Sequence, residues 1–120
     1  MKEVTIEYEA QSRGFFQKIV IQNKLALITN NRTKKTKSIA LSKTDCKNIT
    51  AAYNELNLEN LNTLKAPTEK RFYDGAAIAH LTITENGKKY ETPAFDHGFP
   101  PQEIEKLVTL MVTLNTNNTN

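Results

Sequence analysis

One cysteine, Cys46, stands in 120 residues, which excludes an internal disulfide and a thiolate zinc cluster. It leaves the compartment open, because a disulfide-free domain of this size folds on either side of a membrane. No apolar run approaches the ~18 residues that a membrane-spanning helix needs. The Gly-x-Ser-x-Gly elbow, the His-Glu-x-x-His zinc helix, the P-loop and the Gly-x-Gly-x-x-Gly turn are all missing, so no familiar catalytic apparatus is written in the chain. No residue pattern asks for a cofactor. No signal peptide precedes the first strand-like alternation. A trimmed secretory protein restarted from a new methionine has the same appearance.

What is present is ordinary globular composition, 38% hydrophobic and 24% charged, in a length that suits one domain with its own core. The expected division is a single α+β domain over residues 1–114 and a polar asparagine and threonine tail over 115–120, expected to be disordered. The net charge is only +3, but residues 32–47 hold Arg32, Lys34, Lys35, Lys37, Lys43 and Lys47 against the single acid Asp45. Such a block could draw phosphate or an anionic surface. It lacks the interleaved aromatics that stack bases, so nucleic acid is not the expected partner, and a solvated lysine face explains it.

Val4, Ile6 and Tyr8 alternate with Glu3, Thr5, Glu7 and Glu9, the period-2 pattern of a strand with one wet face. Gln11 to Gly14 reads as a turn. Phe15 to Gln22, Leu25 to Thr29 and Thr36 to Leu41 continue as strands with short links, an antiparallel meander. Ser42, with Asp45 three residues on, marks a helix start, and Cys46, Ile49, Tyr53 and Leu56 then recur at helical spacing. Cys46 is thus expected to be a core thiol. Leu58, Leu61 and Leu64 suggest a short extra turn. Ala76 to Thr84 reads as a central strand, returned by an Asn86-Gly87 hairpin turn into Lys88 to Thr92. Pro100-Pro101 opens a last helix with Ile104, Leu107, Val108, Met111 and Leu114 on its buried stripe. The order ββββ-α-ββ-α predicts a mostly antiparallel sheet of about six strands with both helices on one face.

The most informative stretches lie on either side of that hairpin: Arg71-Phe72-Tyr73-Asp74-Gly75 and Phe95-Asp96-His97-Gly98-Phe99. They are expected at neighbouring strand ends. Asp74, Asp96 and His97 are clustered titratable groups that could act as base and orienter or as part of a metal site. Alternatively, the two aspartates cap turns and Gly75 and Gly98 supply backbone freedom. Arg71, Tyr73, Phe95 and Phe99, with Phe72, have the composition of a binding hot spot, unless the phenylalanines turn inward and close the core. His80, in mid-strand, reads as a core or sheet-face histidine.

Ser12-Arg13-Gly14-Phe15, the run Ala66-Pro67-Thr68-Glu69-Lys70-Arg71-Phe72-Tyr73-Asp74-Gly75-Ala76, and Phe95-Asp96-His97-Gly98-x-Pro100-Pro101 resemble a group of small uncharacterised proteins and predicted lipoproteins of Bacteroidetes, especially flavobacteria. The resemblance runs from the first strand to the last helix and brings no activity with it. It implies an envelope or periplasmic location, with a lipid anchor carried on a removed N-terminus. The expectation is a non-enzymatic binding domain, of the inhibitor or immunity type, whose protein or small-ligand partner meets the two loops. The alternative is a small hydrolase or metal-binding protein using Asp74, Asp96 and His97.

Overall fold

The computed structural model of the chain describes residues 3–30, 35–73 and 75–117. Its first four strands, β1 (Val4–Ser12), β2 (Phe15–Gln22), β3 (Leu25–Thr29) and β4 (Lys37–Ala40), form the expected meander. Two-residue links fix its register. Asn23 and Lys24 both take positive φ, 52° and 66°, as does the Asn86-Gly87 pair at 52° and 87°. This is the backbone twist that a two-residue antiparallel hairpin requires.

After α1 (Lys43–Asn54) and a 3₁₀ turn at Leu58–Thr63, the chain makes a second 3₁₀ turn at Lys70–Tyr73 and enters β5 (Ile78–Glu85). That strand pairs with β1, giving the order β4-β3-β2-β1-β5-β6, with β6 spanning Lys88–Glu91. A seventh strand not read from the sequence, β7 (Phe95–Asp96), pairs with the start of β5, Ile78 opposite Asp96 and Ala79 opposite Phe95. Thr92 bridges β6 and β7. Its amide donates to Leu81 O at 3.0 Å and its hydroxyl accepts from Leu81 N at 3.1 Å. Pro93, which has no amide hydrogen, follows at once and interrupts the ladder.

One face of the sheet is apolar by strict alternation. Ile6, Tyr8 and Ala10 of β1 lie level with Ile21, Ile19 and Gln17 of β2 on one side and with Ile83, Leu81 and Ala79 of β5 on the other. Every one of them is buried. Helix α1 starts on Ser42, whose Oγ accepts from Asp45 N at 3.0 Å, and it buries Ile49 and Ala52. Cys46 is only half-buried, at the margin of that face.

The last helix begins as a 3₁₀ turn, Gln102–Ile104, and continues as α2 (Glu105–Asn117), with Ile104, Leu107, Val108, Met111 and Leu114 buried as expected. It runs to Asn117, into the segment expected to be a disordered tail. Asn115 is buried and exchanges amide hydrogen bonds with Asn30, at 3.0 and 2.6 Å, so it closes the core and belongs to the fold. Residues 118–120 lie outside the described residues. Among the described residues no helix is long and apolar enough to cross a membrane.

Candidate functional site

The two singled-out loops do meet, and Asp96 joins them. Its side chain is wholly buried and accepts from Thr68 Oγ1, from Lys70 N at 2.7 Å, and from Arg71 N and Arg71 Nη1, each at 3.0 Å. The same Nη1 donates to Thr68 O at 2.9 Å, so Arg71 closes a ring around the carboxylate. Burial pushes the Asp96 carboxyl up. The bonds from Thr68, Arg71 and the two backbone amides outweigh it and hold the carboxyl at about 2. A carboxylate with this many donors is stable as an ion inside the protein.

That clamp corrects two expectations. Asp96 caps the neighbouring loop and not its own turn, and with no exposed surface it cannot touch a partner. Phe95 is likewise 0% exposed and packs on Tyr8 with ring centroids 6.2 Å apart, which makes it core and not contact surface. Asp74 lies outside the described residues.

His97 is turned away from Asp96. Neighbouring residues at a strand end point to opposite sides. The imidazole reaches Tyr8, with Nδ1 2.6 Å from the phenolic oxygen, and it sits 5.1 Å from the ring of Phe15. Asp96 and His97 are therefore adjacent in sequence but belong to two different hydrogen-bond systems, and they form no acid-base pair. No group of three or more histidine, cysteine, aspartate or glutamate side chains able to hold a metal occurs among the described residues.

Burial raises the Tyr8 phenol far above its ordinary value and lowers His97 below its own. The phenol stays protonated at neutral pH and the imidazole stays neutral. A buried hydroxyl with His97 as its partner donates to Nδ1, which leaves the ring hydrogen on Nε2. Sequence reading missed Tyr8 and Thr68. Tyr8 is indistinguishable from any aromatic in an alternating strand, and Thr68 from any residue of a proline-containing turn.

The clamp has a surface consequence. Phe72 and Tyr73, directly after the residues that Asp96 holds, are 70% and 72% exposed. The Arg71 guanidinium lies over the Phe72 ring at 4.4 Å and Lys70 Nζ over the Phe99 ring at 4.0 Å, so each exposed ring carries a cation. Phe15 and Ile78 are partly exposed nearby, Phe15 against His97 and Ile78 paired with Asp96. Of the six large hydrophobics exposed among the described residues, only Leu25 lies elsewhere.

His80 is on the opposite sheet face, level with Glu9, and its Nδ1 is buried without a hydrogen-bond partner among the described residues. Of the basic block, Lys37 lies on edge strand β4 and Lys43 and Lys47 on α1, while Arg32 and Lys34 are outside the described residues. Comparison of the chain with protein-family models, with curated proteins and with solved structures finds no match to any of them.

Proposed function

We propose that this protein is a non-enzymatic binding module whose partner, a protein, covers the face made by Phe72, Tyr73 and Phe99. The observation that carries the reading is the pairing of two strongly exposed aromatics with a buried, four-donor carboxylate that fixes the backbone just before them. Rigid aromatics flanked by arginine or lysine are what interface hot spots use, because little conformational entropy is lost when they are covered. An exposed loop held by a rigid scaffold is also the usual place for recognition. The inhibitor or immunity type of module has this form: a stable sheet that presents one fixed patch to another protein. An envelope or periplasmic setting, with a lipid anchor on a removed N-terminus, accompanies the reading through the resemblance to Bacteroidetes lipoproteins.

The catalytic alternative loses its basis once Asp96 is occupied by structural donors and His97 faces away from it. The test of the binding reading is capture from a native extract with the wild-type protein and with Phe72→Ser, Tyr73→Ser. Recovery should fall about 10-fold or more for the double variant, the effect of losing one or two hot-spot residues. Equal recovery would remove this loop from the interface.

A further inference from the structure

Beside the aromatic loop, at the same end of the sheet, lies a cleft of about 480 Å³ lined by Ser12, Arg13, Phe15, Gly75, Ala76, Ala77 and His97. Its size falls within the range of small-ligand sites. The three sequence stretches with unusual motifs, around residues 12–15, 66–76 and 95–101, all contribute to its wall.

The chemistry of that wall is specific. His97 has Nδ1 bound to the buried Tyr8 hydroxyl, so Nε2–H is the polar group the ring has left to offer the cleft. Arg13 sits in the β1–β2 turn, is exposed, and forms no ion pair among the described residues. One fixed cation and one neutral N–H donor form an acceptor-seeking corner. The Phe15 ring, tilted against His97 at 5.1 Å, supplies an apolar wall next to it. Opposite, Gly75, Ala76 and Ala77 carry almost no side-chain bulk, and the Ala77 carbonyl is already engaged by His97 N at 3.0 Å, which fixes that wall.

We propose that the cleft binds a carboxylate attached to an apolar or aromatic body, with the carboxylate between the Arg13 guanidinium and His97 Nε2–H and the body against Phe15. Two sources present this chemistry, a free organic acid and the C-terminal residue of a polypeptide. The proposal goes beyond the aromatic-loop reading, since the cleft can be filled whether or not a protein covers Phe72 and Tyr73.

The experiment is an NMR titration of ¹⁵N-labelled full-length protein at neutral pH with 3-phenylpropanoate, with its amide, and with the peptide Gly-Gly-Phe. The acid should give saturable shifts at His97 Nε2 and at the amides of residues 12–15 and 75–77. The neutral amide should bind at least ~10-fold more weakly, as should the acid to Arg13→Gln. That variant changes an exposed turn residue and keeps the core intact, and the unshifted amides of α2 report its fold. Tighter binding of Gly-Gly-Phe than of 3-phenylpropanoate assigns the site to chain termini, and the reverse order assigns it to free acids. Both uphold a carboxylate site. The proposal is overturned if neither carboxylate gives saturable shifts up to about 10 mM, well above the affinity of a built site. It is also overturned if acid and amide bind alike, or if Arg13→Gln binds as wild type does. Loss of Phe72 and Tyr73 should leave these shifts unchanged, which separates failure of this site from failure of the protein-binding face.

Discussion

At the scale of the residue, Asp96 is the group on which the site depends. Asp96→Asn keeps the shape but places an amide where four donors converge, and it should lower stability by about 3 kcal/mol, as breaking a buried, paired charge does. Denaturant unfolding measures it, and a loss within error of zero would contradict the clamp. The pH dependence follows from the same group. Its folded carboxyl titrates at about 2 against an ordinary 3.8, so its contribution is whole above that ordinary value and drains away as pH falls from 3.8 toward 2. Wild type should lose stability more steeply than Asp96→Asn across that window, and parallel curves would be the contrary result.

Gly75 makes a second case. A Cβ there would lie 3.0 Å from Tyr73 Cε2 and 3.1 Å from Lys70 O, and the Lys70 backbone cannot retreat because its amide is bound to Asp96. Gly75→Ala should therefore displace the Tyr73 ring at a cost of about 1 kcal/mol, visible as altered Tyr73 ring shifts with unchanged core methyl signals. His97 should titrate below its ordinary value, and at neutral pH its ring nitrogens should show the hydrogen on Nε2. A hydrogen on Nδ1 would contradict the Tyr8 bond.

The residues of this site were legible by type and not by direction. Asp96 and His97 are both visible in the sequence as polar groups in a promising loop. Only the two-residue alternation of a strand end, hidden while the segment read as loop, separates them. Phe95 could have been assigned to the core by the same alternation.

At the scale of the element, the meander, α1 and the α2 stripe could be read directly, since each carries its own period and its own turn or cap: Asn23-Lys24, Asn86-Gly87 and Ser42. The elements missed were those held by tertiary bonds. Strand β7 is two residues long and exists because β5 offers an open edge beyond Thr92. The 3₁₀ turn at Lys70–Tyr73 exists because Asp96 gathers its amides. The end of α2 was obscured by composition, because a run of asparagine and threonine reads as a tail until Asn30 supplies the partner for Asn115. Asn115→Ala removes both amide bonds and should destabilise the protein by about 1–2 kcal/mol, with faster hydrogen exchange confined to the last turn of α2 and the end of β3. Exchange unchanged in those segments would place α2's anchor elsewhere.

At the scale of the whole molecule, the sheet has two unequal ends. One end carries the β2–β3 turn and Leu25. The other gathers the β1–β2 turn, the Lys70–Tyr73 turn and β7, with five exposed large hydrophobics between them. This asymmetry makes no contribution to folding. Replacing both Phe72 and Tyr73 by serine should leave stability within about 0.5 kcal/mol of wild type, as expected for exposed positions. A larger loss would mean that the rings serve the fold.

The most direct test of the binding face is a photo-crosslinking residue placed at Phe72 in one protein and at Leu25 in another, each expressed in the native host. Leu25 is the control, since it is an exposed hydrophobic of the same molecule at the opposite end. A discrete crosslinked species from position 72, absent from position 25 and lost in the Asp96→Asn background, is the predicted result. Equal labelling from both positions, or none from position 72, would contradict the account.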